Sequence, residues 1–232
     1  MTIETVTRGE TWKNEDIRVL CDLNEAINRI PGSTFILTGS YGIEAVTGIS
    51  IFFHNDIDTN VFVPNLPCGL EKIKSLLDKT PQFSLLKATD ERLEYQTGSR
   101  NRRVEMKLME IVGERKEMNE VVFIVRNGEG VFEVPITIGV IMDTLDNRYK
   151  FRVKTLDFQV ATWALRVSGM ATSPQREVRV SDLENFKVLL AGHYNIERVY
   201  RFIQNHPQNR NRFPGNVIFA RALQCLQGEF SS

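Results

Sequence analysis

Residues 37–63, LTGSYGIEAVTGISIFFHNDIDTNVFV, hold an apolar run that stops at Gly39-Ser40, a short amphipathic stretch, and a second apolar run headed by Asp56 and Asp58. In a strand, residues i and i+2 project to the same face, so the two aspartates point together and Ile57 points away. Two carboxylates side by side repel each other unless a cation lies between them or one takes up a proton. A hard divalent cation such as Mg²⁺ suits carboxylate oxygens and shared phosphates. A solvated strand end with two acids accounts equally well for the pair taken alone. The Gly-Ser turn adds a second feature. Glycine lets the backbone approach a ligand closely, and the amides at a helix start, with the Ser40 hydroxyl, can hold a phosphate.

Outward from this stretch the pattern is mixed. Residues 14–30 place Ile17, Leu20, Leu23, Ile27 and Ile30 at helical spacing, with Asn14 as the expected cap ahead of Glu15 and Asp16. TFILT (34–38) predicts a short buried strand, YGIEAVTG a helix closed by Gly48, DIDTNVFV (56–63) a strand stopped by Pro64 and Pro67, and GLEKIKSLLDKT (69–80) an amphipathic helix. Between about 83 and 138 the period shortens to that of strands: FSLLKA, RLEYQT, RRVEMKLMEI, EVVFIVR and VFEVPIT, broken by turns such as NGEG (127–130). From Leu156 onward four segments show apolar spacing of three or four. The expected class is α+β, with a mixed-sheet domain over residues 1–145 and a helical domain over 146–232.

The 232 residues allow a sizeable core, and 42% hydrophobic with 25% charged residues is an ordinary globular composition. Lys+Arg and Asp+Glu balance at 29 each, so no global charge draws the chain to nucleic acid or anionic membranes. Cys21, Cys68 and Cys225 lie far apart, which fits reduced thiols and argues against a disulfide framework or zinc knuckle. The polar, acidic stretch at residues 1–16 is not expected to act as a signal peptide, and no apolar run approaches the roughly 18 residues that span a bilayer. A cytoplasmic location is expected.

A third acid comes from RVEMKLMEI, where Val104, Met106 and Leu108 alternate with Glu105 and Lys107. Such a strand has one apolar and one charged face, and it could carry Glu105 to the aspartate pair; a half-exposed strand has the same pattern.

The order strand, Gly-Ser, helix, spacer, Asp-x-Asp and later acid resembles the nucleotidyltransferase superfamily, the polymerase-beta-like fold. The stretch 37–63 is most similar to the antibiotic nucleotidyltransferases that modify aminoglycosides and lincosamides, and to related toxin-type nucleotidyltransferases. There a glycine-rich turn and an IDA-TG-like helix precede an R-x-H-x-D-I-D segment. The counterparts are GSYGIEAVTG (39–48) and FFHNDID (52–58), in which His54, Asp56, Ile57 and Asp58 match and Phe52 replaces the arginine. Glu105 stands where an aspartate is more usual. Further on, FRVKTLDFQVATWALR (151–166) and SPQREVRVSDLENFKVLL (173–190) are similar to the family's strand, helix and R-x-K-D-x-x-D-x-x-x-L helix. Asp182 matches that helix's first aspartate, while Ser181 and Asn185 replace its lysine and second aspartate.

The resemblance implies a mixed-sheet nucleotidyltransferase domain followed by helices. It implies that Asp56 and Asp58 hold Mg²⁺ against the phosphates of ATP or another NTP, with Glu105 as general base or further metal ligand. Gly39 and Ser40 would grip the outer phosphates, joined by Lys107 and Lys154; Arg166, Arg176 and Arg179 are further candidate cations, each equally readable as a solvated charge. His54 would face the acids. Tyr41 and Trp163 could stack on a base or sugar, or belong to the core, and His193 and His206 are read as structural. The expected activity moves a nucleoside monophosphate, AMP first, to a hydroxyl of a small molecule such as an aminoglycoside- or lincosamide-like antibiotic. The alternatives are a toxin of a toxin–antitoxin pair acting on tRNA or protein, which should carry a basic stripe for tRNA and which the neutral net charge disfavours without removing, and an interaction module that kept the fold.

Overall fold

The computed structural model describes residues 3–51, 56–97, 102–117, 120–169 and 178–228, with the side chains of the first helix from residue 13. That helix, α1 (Ile3–Asn28), buries Ile17, Leu20, Leu23 and Ile27. It does not begin at Asn14. The Asn14 amide donates instead to Thr144 Oγ1 (2.7 Å) and its oxygen accepts the Thr144 N–H (3.2 Å), so the polar group expected to cap the helix ties it to a distant loop.

β1 (Thr34–Leu37) leads into α2 (Gly39–Thr47), which Gly48 closes in the left-handed conformation at φ 72°. β2 (Ile57–Val63) follows, then α3 (Leu66–Leu77), capped by Asn65, whose side chain accepts the Cys68 N–H at 3.0 Å. Five strands come next: β3 (Phe83–Thr89), β4 (Arg92–Thr97), β5 (Arg102–Glu117), β6 (Glu120–Asn127) and β7 (Gly130–Met142). β8 (Arg148–Lys154) pairs with both β7 and β1, so the sheet continues past the break expected at 145 and ends at Lys154. Its RYKFRVK sequence puts a charge at every second position, with Tyr149, Phe151 and Val153 between them. The helices α4 (Leu156–Val167), α5 (Val180–Leu190), α6 (Ile196–Asn205) and α7 (Gly215–Gln227) complete the chain. None of the described helices is long and apolar enough to cross a membrane.

The sheet runs β2-β1-β8-β7-β6-β5-β4-β3, and a further parallel pairing of β2 with β5 closes six of these strands into a ring. β5 makes this possible by its length. Its first half lies between β2 and β4, and its second half forms a hairpin with β6. Alternation then separates two cores. Val61 and Val63 with Val104, Met106 and Leu108 face α1 and α3 on the outside. Inside the ring, Ile36, Phe62, Met109, Phe123, Val125, Val134 and Ile136 meet Phe158 of α4. A third core joins Ile43 of α2 to the helices α4 to α7, so the two halves share α2.

Candidate active site

Asp58 sits under the turn between β1 and α2. The Thr38 N–H donates to the Asp58 carbonyl at 3.1 Å, extending the antiparallel ladder to the start of the helix. Gly39 then turns at φ +60°, and a Cβ there would stand 2.6 Å from Asp58 Oδ2 and 2.8 Å from its Cβ. Only glycine allows the backbone to pass this carboxylate so closely. Thr38 makes no side-chain cap and α2 carries no acid in its first turn, so its leading amides are open to an anion. Ser40 accepts a hydrogen bond from the Asn185 amide of α5 at 3.4 Å, which links the turn to the helical half.

Register decides what lies beside Asp58. Asp58, Asn60 and Phe62 pair with Glu105, Lys107 and Met109 in the parallel β2–β5 ladder, and all six share the inner face. Asp58 is therefore flanked by Glu105 across the ladder and by Asp56 along the chain. Burial, then Asp56, then Glu105 push its carboxyl up to about 6, against the opposing pull of Arg166 and Arg92. Glu105 has its own cations: its Oε2 is bound by Arg92 and lies 3.6 Å from Arg103. The neighbouring Glu94, opposite Glu105 in register, pairs with Arg92 at 3.0 Å and Arg103 at 2.9 Å.

From the helical half, α4 turns Arg166 toward Asp58 with its guanidinium 4.7 Å from the centre of the Trp163 ring. Asp182, 1% exposed, holds Arg166 at 2.9 Å and accepts the Arg179 N–H at 3.1 Å, the latter at the start of α5. Arg179 itself stands 3.5 Å from the same carboxylate. Asp182 thus positions Arg166, a task that spacing within one helix does not reveal. Tyr41 is core: it is buried and its hydroxyl donates to Asp16 at 2.7 Å. His193 is exposed.

The ring's mouth forms another part of the site. Lys154 pairs with Ile136 and so shares the inner face, near Lys107, the ladder partner of Asn60. Burial and the charge of Lys107 bring the Lys154 ammonium down to about 8. Glu129, in the β6–β7 turn, lies 3.7 Å from Lys107 and accepts from Gln208 at 3.2 Å. His206 accepts the Gln208 N–H on Nδ1 at 3.2 Å, which leaves its proton on Nε2. Burial, reinforced by Lys154, lowers His206 to about 4, so it is neutral.

One open cleft of about 1410 Å³ joins these parts and is lined by Ser40, Asp56, Asp58, Glu105, Arg166 and Lys154 among others. Pockets for single small ligands run from roughly 300 to 1,000 Å³, so the cleft has room for two co-substrates. Phe52, His54 and Arg176 lie outside the described residues. Among the described residues, no three His, Cys, Asp or Glu side chains come together in a way that could hold a metal ion. The aspartate pair nonetheless has the donor chemistry of a Mg²⁺ site: hard oxygens, with one carboxyl driven toward protonation by its negative neighbours.

No protein-family model and no curated protein sequence matches the chain. Solved structures do. The crystal structure of ANT(2″)-Ia in complex with adenylyl-2″-tobramycin aligns with 14% identity over 82% of this chain and 95% of that one, with a TM-score of 0.51. The lincosamide antibiotic adenylyltransferase LnuA with lincomycin bound aligns at 15% identity over 76% of this chain and 96% of that one, TM-score 0.46. The CD-NTase CdnG of Bradyrhizobium diazoefficiens in complex with GTP aligns at 9% identity over 94% and 84%, TM-score 0.40. The fold is therefore one shared with nucleotidyltransferases.

Proposed function

We propose that this chain, built on the nucleotidyltransferase fold, transfers a nucleoside monophosphate, AMP first, from an NTP to a hydroxyl of a small molecule. The observation that carries this is Asp58, half-buried beside Asp56 and pressed under Gly39 at the uncapped start of α2. An uncapped helix start next to paired carboxylates serves triphosphate and cation together. Asp56 and Asp58 would hold Mg²⁺, which when bound neutralises charge on the leaving pyrophosphate and orients the α-phosphorus for in-line attack. Ser40 and the leading amides of α2 grip the outer phosphates. Arg166, held by Asp182, adds a positioned cation beside them, and its stacking partner Trp163 offers an aromatic face at the cleft.

Glu105 takes the proton of the acceptor hydroxyl. Arg92 and Arg103 hold it on one oxygen, Oε2, and Asp58 is its partner across the ladder. Glu105→Gln is therefore expected to lower turnover about a hundredfold, the lower end of general-base effects, with NTP affinity within about twofold of wild type. Unchanged turnover would remove Glu105 from the reaction and direct attention to Glu94.

The activity is tested by mass spectrometry of candidate acceptors incubated with Mg²⁺ and each NTP, together with melting curves. Mg²⁺ and the correct NTP at 100-fold excess over Kd should stabilise the protein by about 2.7 kcal/mol, and NTP without Mg²⁺ by much less. No shift with any NTP at millimolar Mg²⁺ would rule the activity out.

A further inference from the structure

The acceptor end of the cleft has a charge pattern of its own. A polycationic acceptor needs carboxylates that are free to receive it. At this end Glu94, Glu105 and Glu129 are all engaged already, by Arg92, Arg103 and Lys107. Lys154, in contrast, makes no ion pair or hydrogen bond through its ammonium among the described residues; the ammonium stands 5.8 Å from the centre of the Phe158 ring and feels the charges of Glu129 and Asp58 only at longer range. Two buried amide atoms are also without partners among the described residues. They are Oδ1 of Asn60, a residue 6% exposed that lines the cleft, and Nδ2 of Asn127, whose own oxygen accepts the Glu129 N–H at 2.9 Å. Buried polar atoms are almost always paired, so each of these waits for a ligand or an ordered water.

The sites on either side of Asp58 divide the work. Ser40, Asn185 and Arg166 belong to α2, α5 and α4, where the triphosphate has its amides and its arginine. Asn60, Lys107 and Lys154 project from β2, β5 and β8 into the ring, with the apolar side chains of Phe62, Met109 and Ile136 below them. Resting on the nucleotidyl-transfer reading above, we propose that the acceptor is a hydroxylated molecule carrying a phosphate or carboxylate, held at the mouth of the strand ring. Lys107 and Lys154 receive the anionic group, and Asn60 Oδ1 accepts from one of the ligand's hydroxyls. Aminoglycosides, which present ammonium groups, meet two lysines there and, among the described residues, no unpaired glutamate.

Matched pairs of probes test this on the protein saturated with Mg²⁺ and a non-hydrolysable analogue of whichever NTP binds. Ribose 5-phosphate is compared with ribose, and gluconate with sorbitol, by calorimetry, with tobramycin as the polycation. At least one anionic member should bind about tenfold or more tighter than its neutral counterpart, as two charge-assisted contacts imply, and the pair that does so identifies the anion as phosphate or carboxylate. The preference should fall to within about twofold in the Lys107→Met/Lys154→Met double variant, and the NTP affinity of that variant separates this role from the triphosphate contact that the sequence resemblance implies for the two lysines. Equal binding of neutral and anionic members, tighter binding of tobramycin, or a preference that survives the double variant overturns the proposal. A tenfold loss of NTP affinity in that variant also overturns it, by assigning the lysines to the triphosphate. If the wild type binds no NTP, the activity fails separately, and the same pairs titrated without nucleotide still decide the anion site.

Discussion

Asp58→Asn is expected to abolish transfer, by on the order of 10⁴-fold or more, while raising the melting temperature of the free protein at neutral pH. The two effects share one cause. The Asp58 carboxyl is pushed from its ordinary 3.8 up to about 6 by burial and by Asp56 and Glu105. The native state therefore holds this proton more tightly than the unfolded chain does. Stability from this group is complete below about pH 4 and is lost as pH rises through 6, a penalty of about 3 kcal/mol by pH 8. Asparagine is neutral throughout, so the variant avoids the penalty. A difference of this size is several degrees in a chain of this length, at about 2–4 °C per kcal/mol. Melting curves at pH 4 and pH 8 without Mg²⁺ check the sign: the variant should gain at pH 8 and match wild type at pH 4. A variant that melts well below wild type at pH 8 would make Asp58 a structural group.

Gly39→Val combines strain with collision. Its φ of +60° is a conformation that costs a side-chain-bearing residue roughly 1–2 kcal/mol, and a β-branched residue more. The new Cβ would stand 2.6 Å from Asp58 Oδ2, so the carboxylate or the start of α2 must move. Overpacking of this kind adds roughly 1–3 kcal/mol. Displacement of a reacting group by an ångström is worth about 10² in rate, and here both the aspartate and the phosphate-binding amides shift, so a loss of about 10³-fold is expected. Gly48→Ala is the control. Gly48 has φ +72° and nothing within 4 Å of an added Cβ, so the variant should lose about 1 kcal/mol of stability and keep its turnover. Equal turnover in Gly39→Val and wild type would show that the close approach over Asp58 has no part in the reaction.

The sequence was most informative where chemistry and local geometry coincide. Gly39-Ser40 before a helix, Gly48 after it, and Asp56 and Asp58 at the head of β2 all stand where the local pattern places them. What it withheld depends on pairing between distant strands. Alternation in RVEMKLMEI shows that Glu105 and Lys107 share a face, but only the parallel β2–β5 register sets them opposite Asp58 and Asn60. The arginines that hold Glu105 come from β4 and from β5 itself, and the glutamate they share, Glu94, reads as one charge among many in RLEYQT. Asp182 is a local helix-start acid by sequence, and its second oxygen's grip on Arg166 needs α4 and α5 side by side. Lys154, His206 and Glu129 are scattered along the chain and meet only because the ring closes.

That closure also orders events in time. Leu37 pairs with Val153, across most of the sheet's sequence, and β2 reaches β5 over a long intervening segment. Contacts between such distant positions pay their loop-closure entropy before they gain any stability, and chains dominated by them fold slowly. A nascent chain leaving the ribosome has both aspartates early, but it has no β8 to pair with β1 until Lys154 has emerged. Throughout that interval the edge of β1 that will pair with β8 is open, and the inner-face side chains Ile36 and Phe62 lack the cover of Phe158 from α4. The elongating chain is thus most exposed to aggregation, and to chaperone capture, between the emergence of β2 and that of β8.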